Sequence, residues 1–196
     1  RSLGYLEASM RWFVIIAFPA TAGLIAVGPQ LIRLLGQDAF AAARSLIALL
    51  VLGELFVGFY QLWVFVLYLR ERTAKLIWLF SLAAIANLVG NFLLVPRIGI
   101  LGAAWATFIS CAIQLFLTIN SAKRLADLRL PVSVWIRAAG GGLLVYACAV
   151  LVPVRGLVGL AVRVIAGVLL YVIYALVTRL VALRDVAQLR RPFPGK

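Results

Sequence analysis

The stretch Leu76–Pro96, LIWLFSLAAIANLVGNFLLVP, is 21 residues long and contains no charged side chain. A transmembrane α-helix needs about 20 consecutive, mostly apolar residues to cross the hydrocarbon core of a bilayer. Five further stretches share this character, one of them interrupted only by Glu54. These are Trp12–Ile32, Ser45–Leu69, Ile98–Ala122, Ala138–Val154 and Val164–Thr178. The sequence therefore predicts an all-α, polytopic membrane bundle of six transmembrane helices.

The composition as a whole disfavours a soluble helical protein. Hydrophobic residues make up 65% of the chain, and its mean hydropathy is +1.12. Both values are higher than those of typical soluble globular proteins. The last two apolar stretches are short, but Ile136 and Leu157–Val162 extend them. The arginines at those extensions, Arg137 and Arg163, can reach the lipid headgroups with their long side chains.

Basic residues alternate in density between the two sides of the predicted bundle. Both termini and the loops after the second and fourth predicted helices lie on one side. This side holds 14 of the 19 lysines and arginines. These are Arg1, Arg11, Arg70, Arg72, Lys75, Lys123, Arg124, Arg129, Arg137, Arg179, Arg184, Arg190, Arg191 and Lys196. The other side holds Arg33, Arg44, Arg97, Arg155 and Arg163. Short loops rich in Lys and Arg stay in the cytoplasm, so both termini are predicted to be cytoplasmic.

The formal net charge of +13 has the same origin. The basic residues lie at helix ends, where anionic lipid headgroups attract them, so membrane lipids rather than nucleic acid are the expected partners. The chain has no histidine and only six acidic residues, of which Glu54 alone lies in an apolar stretch. This inventory gives no basis for an enzyme active site, a metal site or a cofactor site.

Small residues indicate where two helices can pack closely within a membrane. Gly102, Ala106 and Ser110 recur every four residues in the fourth predicted helix, and Gly90 lies in the third. Only the short turn Pro96–Gly99 joins these two helices. Because small side chains allow helix backbones to approach, we expect the two helices to form a close antiparallel pair.

An ordered set of short motifs carries a family resemblance. The motifs are Phe18-Pro19-Ala20, Leu34-Leu35-Gly36, Leu69-Arg-Glu-Arg-Thr73, Asn87-Leu-Val-Gly-Asn91, Pro96-Arg-Ile-Gly99 and Gly102-Ala-Ala-Trp-Ala-Thr107. In this order and spacing they resemble the polysaccharide flippases of the multidrug/oligosaccharidyl-lipid/polysaccharide exporter superfamily. The resemblance covers roughly Trp12 to Lys123, and the last two predicted helices fit the family by position only.

The resemblance implies that the chain is the C-terminal portion of a transporter of 12–14 helices. Residues 1–122 would form the last four helices of the second bundle, 123–133 a cytoplasmic loop, and 134–196 an accessory two-helix hairpin with a basic cytoplasmic tail. The implied function is the flipping of a lipid-diphosphate-linked oligosaccharide across the bacterial cytoplasmic membrane for polysaccharide biosynthesis. Other polysaccharide assembly proteins are then possible partners.

Other functions stay open on the sequence. A lipid II flippase and a drug/cation antiporter belong to the same superfamily as the resemblance. A non-transport, six-helix membrane subunit of a glycan-synthesis complex fits the same apolar pattern. An intramembrane enzyme is the least favoured, because the catalytic side chains are missing.

Five residues are candidates for the path of a substrate or ion. Glu54 is an acid inside a membrane helix, which is costly and is either functional or bonded to a neighbouring helix. Asn87 and Asn91 share one helix face, and Gln61 lies in an apolar stretch. These amides either line a cavity or bond between helices. Arg11 is placed to bind a diphosphate at the cytoplasmic mouth.

Overall fold

The computed structural model describes residues 2–36, 46–125, 131–152 and 156–181, and in these ranges it is helical throughout apart from short turns. Six α-helices follow one another along the chain. They are α1 (Ser2–Gly36), α2 (Ile47–Leu69), α3 (Thr73–Ile98), α4 (Ile100–Lys123), α5 (Val132–Leu151) and α6 (Gly156–Val177). All six are long and apolar enough to cross a membrane. The prediction of an all-α chain with six such helices is confirmed.

The helices group into two compact units. The first unit contains Arg1–Phe13 and Gly28–Leu130, so it holds both ends of α1 together with α2, α3 and α4. The second contains Val14–Val27 and Pro131–Lys196, so it holds the middle of α1 together with α5 and α6.

The core of the first unit lies at one end of its helices. Leu6 and Met10 of α1 pack in one buried cluster with Leu67 of α2, Leu76 of α3 and Ala122 of α4. The start of α1, the end of α2, the start of α3 and the end of α4 are therefore neighbours. The exposed basic residues of this end are Arg70, Arg72, Lys75, Lys123 and Arg124, whereas Arg33 and Arg97 are exposed at the opposite helix ends.

The first helix is longer than the apolar stretch that predicted it. It begins at Ser2, whereas the apolar stretch begins at Trp12. The extension forms because Leu6 and Met10, four residues apart, are 4% and 3% exposed against the other helices of the unit. Their burial stabilises a helical turn that also carries polar side chains.

The link between α2 and α3 is the predicted basic turn. Arg70 ends α2 and Arg72 precedes α3. Between them Glu71 adopts φ of 55°, and the Arg72 amide donates to the Leu67 carbonyl over 3.0 Å. A residue with positive φ just after a helix, closed by such a bond, is a common way to end a helix.

The link between α3 and α4 is shorter than predicted. The predicted turn was Pro96–Gly99, and the next apolar stretch began at Ile98. In the structure α3 includes both Pro96 and Ile98, and only Gly99 separates it from α4. Gly99 has φ of 60°, a conformation that glycine adopts without steric cost. A one-residue link makes α3 and α4 immediate neighbours.

The predicted close packing of α3 on α4 is confirmed. Gly102, Ala106 and Ser110 are all buried. A Cβ atom built on Gly90 would lie 2.9 Å from the Ala106 Cβ, and one built on Gly102 would lie 2.5 Å from the Leu94 carbonyl carbon and oxygen. The two backbones therefore approach more closely here than larger side chains would allow.

In the second unit, aromatic rings of α6 pack on glycines of α5. A Cβ atom on Gly141 would lie 2.5 Å from the Tyr171 ring, and one on Gly140 would lie 2.8 Å from the Tyr174 hydroxyl. The Tyr171 hydroxyl also donates a hydrogen bond to the carbonyl oxygen of Ile15 in α1. Glycines on α5 thus make room for two tyrosines, and one of these ties α6 to α1.

Two arginines join α5 and α6 at their opposite ends. Arg137, near the start of α5, donates to the Thr178 carbonyl just beyond α6 over 2.9 Å. Arg163 of α6 donates through Nε to the Val152 carbonyl just beyond α5 over 3.0 Å. The last carbonyls of a helix have no intrahelical donor, and a cation is favourable beside them. Each helix therefore caps the C-terminus of the other.

Several sequence-based expectations lie outside the described residues. They are the link 37–45 between the first two helices, the link 153–155 between the last two, the loop residues 126–130, the basic tail 182–196, and the cations Arg1, Arg44, Arg129 and Arg155.

Candidate functional site

A line of polar side chains runs along the exposed face of α2. Glu54, Gln61 and Tyr68 are exposed and follow one another at intervals of seven residues. Seven residues make about two helical turns, or roughly 10 Å, so the three side chains share one face. Leu50 and Phe65 are also exposed on this side of the helix. We call Glu54, Gln61 and Tyr68 the α2 polar stripe.

The stripe lies opposite the face that α2 buries within the first unit. The buried face includes Phe59, Trp63 and Val66, and Gly53 lies against the backbone of Phe108 in α4. Phe56 and Phe108 add a ring contact with a centroid distance of 5.3 Å. Packing therefore fixes the rotation of α2 and leaves the polar stripe on its exposed face.

An acid at this position has a restricted set of acceptable environments. Glu54 is the eighth residue of a helix that contains no other charged residue. Ionisable side chains inside a bilayer almost always face a bundle interior, a water-filled cavity or a partner. The position of the stripe makes it suitable for lining a wet passage.

A second polar group joins α3 to α4. The Asn87 Nδ2 donates to the Ser110 Oγ over 3.2 Å and more weakly to the Thr107 Oγ1 over 3.4 Å. Asn91 Nδ2 donates to both the Asn87 carbonyl, over 2.9 Å, and the Asn87 Oδ1, over 3.0 Å. Ser110 in turn donates to the Thr107 carbonyl over 2.8 Å. We call these four residues the α3–α4 polar cluster.

The hydrogen bonds of the cluster join α3 to α4. The side-chain amide of Asn87 donates to residues of α4, and the side-chain amide of Asn91 donates to Asn87. The two asparagines are therefore linked by hydrogen bonds. Hydrogen bonds of this kind hold helices together in membranes. Thr107 is exposed and the asparagines are only half-buried, so one edge of the cluster remains open. This edge can present polar atoms to a passage while the other bonds keep the helices together.

Arg11 lies in the first turns of α1 and is half-buried. It follows Glu7 by four residues, the spacing at which an acid and a base on one helix face attract each other. Its neighbour Met10 belongs to the buried cluster at the basic end of the first unit. Arg11 is therefore placed at the end of the bundle where the exposed lysines and arginines collect.

The structure brings together some of the predicted residues. Asn87 and Asn91 are bonded to each other, and Glu54 and Gln61 share one face of α2. Sequence reasoning missed Tyr68 as the third member of the stripe and Thr107 and Ser110 as partners of the asparagines. The spacing of seven from Glu54 to Tyr68 was a usable signal. Ser110 lies on the small-residue face of α4 that was expected to meet α3, which was also a usable signal, whereas Thr107 gave none.

Within the described ranges, no three His, Cys, Asp or Glu side chains are grouped closely enough to hold a metal ion. No protein-family model, no curated protein and no solved structure matches the chain.

Proposed function

We propose that the chain is the C-terminal part of a 12–14-helix transporter that flips a lipid-diphosphate-linked oligosaccharide across the bacterial cytoplasmic membrane. The α2 polar stripe is the observation that carries the proposal. An exposed Glu54 and Gln61 within an apolar membrane helix are unfavourable against lipid. They are favourable against a water-filled cavity shared with a second bundle.

The substrate explains why such a cavity would be needed. The charged and sugar-bearing headgroup of a lipid-linked oligosaccharide cannot cross about 30 Å of hydrocarbon unaided. A passage lined by the α2 polar stripe and the open edge of the α3–α4 polar cluster would supply hydrogen bonds in place of water. Transporters of this kind expose such a passage to each side in turn as one bundle moves against the other.

The distribution of charge supports a direction for the passage. The basic end of the first unit, with Arg70, Arg72 and Lys75 exposed, is proposed to face the cytoplasm. Arg11 lies at this end, and a guanidinium binds phosphate oxygens well. In this arrangement Arg11 meets the diphosphate first, at the cytoplasmic mouth, and Glu54 lies in the outer half of the membrane.

The proposal is tested in cells that express the full-length parent. Glu54→Gln, which removes the charge from this apolar helix but keeps the side-chain shape, is expected to lower surface polysaccharide while protein levels stay unchanged. Lipid-linked precursor should then accumulate in the inner leaflet. Glu71→Gln is the matched control, because it makes the same chemical change in the turn between α2 and α3, outside the membrane span. It should leave the surface polysaccharide unchanged.

Three results would contradict the proposal. Equal effects of Glu54→Gln and Glu71→Gln on surface polysaccharide would mean that the α2 polar stripe has no specific role in transport. A deletion that abolishes efflux of a cationic drug but leaves surface glycan unchanged would favour an antiporter. Rescue of a full deletion by these 196 residues alone would favour a self-assembling subunit, since half of the proposed cavity would be missing.

A further inference from the structure

The second unit contains a cavity of about 560 Å³ formed by the middle of α1, α5 and α6. Its volume is in the range of pockets that hold small molecules or single lipid chains. Small residues on each helix create the space, with Gly23 on α1, Ala149 on α5 and Gly167 on α6. The cavity runs along α6 from Arg163 to Tyr171, eight residues or roughly 12 Å of helix.

The lining of this cavity favours hydrocarbon over water. Apart from Arg163 and Tyr171, the described residues that line it are aliphatic, glycine or proline. The Tyr171 hydroxyl donates to the Ile15 carbonyl, and a buried water needs two to four polar partners. The cavity lies among helices that are long and apolar enough to span a membrane. In a membrane, lipid acyl chains surround these helices and are available to fill the cavity.

One end of the cavity carries a positive charge. Arg163 is the single charged residue among the described residues of the lining. Its Nε reaches the Val152 carbonyl at the C-terminal end of α5, so the guanidinium lies near the end of the membrane span. A guanidinium has five N–H donors, and its planar fork matches the oxygens of a phosphate group. A basic group beside an apolar cavity between membrane helices suits an anionic lipid.

We infer that this cavity is a binding site for one anionic diacyl phospholipid from the leaflet at the C-terminal end of α5. One acyl chain fills the space between Gly23, Ala149 and Gly167, and the phosphate binds at Arg163. The site is independent of the proposed transport activity, because it needs only a chain embedded in a membrane.

The test is native mass spectrometry of the full chain, released from detergent that contains equimolar phosphatidylglycerol and phosphatidylcholine with identical acyl chains. We expect one retained phosphatidylglycerol per protein, preferred about tenfold or more over phosphatidylcholine. Both lipids offer the same phosphate to Arg163, but the choline cation of phosphatidylcholine is repelled by the guanidinium. Arg163→Gln should bring that ratio close to one. Ala20→Phe, which places a ring in the cavity from an exposed position on α1, should lower the retention of both lipids.

Arg137→Gln is the matched control, because Arg137 makes the corresponding helix-capping bond to Thr178 but does not line the cavity. It should keep the preference for phosphatidylglycerol. Equal retention of the two lipids by the unaltered chain, or equal effects of Arg137→Gln and Arg163→Gln, would overturn the inference. Displacement of phosphatidylglycerol by an equal concentration of farnesyl diphosphate would assign the cavity to an isoprenoid instead. If Arg163→Gln does not fold, the lipid ratio of the unaltered chain and the Ala20→Phe variant decide the question.

Discussion

The hydroxyl of Tyr171 donates a hydrogen bond to the carbonyl oxygen of Ile15, the atom that Pro19 leaves without a helical donor. In an α-helix the carbonyl of residue 15 would accept from the amide of residue 19, and proline has no N–H. Ile15 is 4% exposed, so water has little access to this residue. A donor from a neighbouring helix is the usual solution in membranes. The proline of α1 and the tyrosine of α6 therefore form one structural feature.

Tyr171→Phe should destabilise the chain by about 1–3 kcal/mol, the cost of leaving a buried carbonyl without a donor. The measurement is reversible unfolding in mixed detergent micelles. Tyr174→Phe removes the same atom one turn later, where the hydroxyl lies against Gly140, and should cost less. The decisive comparison repeats Tyr171→Phe in a Pro19→Ala background. There the restored amide supplies the missing donor, so most of the cost should vanish; an unchanged cost would disprove the link.

Gly102→Ala should be among the most damaging single-methyl additions in the chain. The new Cβ would lie 2.5 Å from backbone atoms of Leu94, which cannot move without shifting α3. We expect a loss of about 2 kcal/mol, within the range for overpacked sites. Gly167→Ala is the control, because its Cβ would lie 3.4 Å from the Val145 Cγ1, an ordinary contact. It should change the free energy of unfolding by less than about 0.5 kcal/mol.

Ala106→Leu tests the helix face assigned to the α3–α4 contact. Ala106 is 1% exposed and meets Gly90, so the larger side chain should cost about 1–3 kcal/mol. Ile109, on the same helix, is 43% exposed, and Ile109→Leu should be nearly neutral. Thermal unfolding of both variants in one detergent provides the comparison. Equal losses would mean that the contact uses another face of α4.

Asn87 and Ser110 should be energetically coupled. Single and double replacements by alanine form a cycle, and hydrogen bonds between membrane helices contribute about 0.6 kcal/mol on average. We expect a coupling free energy near that value in unfolding measurements. A coupling near zero, combined with lost transport by the proposed 12–14-helix transporter, would show that Asn87 serves the proposed passage and not the contact between helices.

Cysteine labelling in sealed cells tests the proposed orientation. Cys111 and Cys148 are first replaced by alanine, and single cysteines are then introduced at Arg97 and Thr73, both exposed at opposite ends of α3. The cysteine at position 97 should react with a membrane-impermeant reagent, and the one at position 73 should react only after permeabilisation. The reverse pattern would place the basic end of the first unit outside.

The sequence predicted the parts of the fold that depend on local composition. Long apolar stretches located all six helices, and small residues located the contact between α3 and α4. The start of α1 was missed because Glu7 and Arg11 end the charge-free stretch, while Leu6 and Met10 are held by contacts with distant residues. The end of α3 was missed because Pro96 suggested a turn, whereas α3 continues through Pro96 to Ile98.

The residues of the candidate site could be selected from the sequence, but the residues that contact them could not. Polar residues in apolar helices are visible in the sequence, so Glu54, Gln61, Asn87 and Asn91 could be selected. Their surroundings depend on helix rotation, which is set by packing far from each residue. The stripe on α2 and the bonds from Asn87 to α4 could therefore be assigned only once the helices were placed.

The two arginine bonds between α5 and α6 have a consequence for register. Arg137 holds the end of α6 and Arg163 holds the end of α5, so both bonds depend on one axial alignment. A slip by a single residue moves one helix about 1.5 Å along the other and strains both bonds at once. Misaligned hairpins thus lose two charge-assisted bonds together rather than one at a time. The arginines thereby select a single register for two helices whose apolar surfaces would tolerate several.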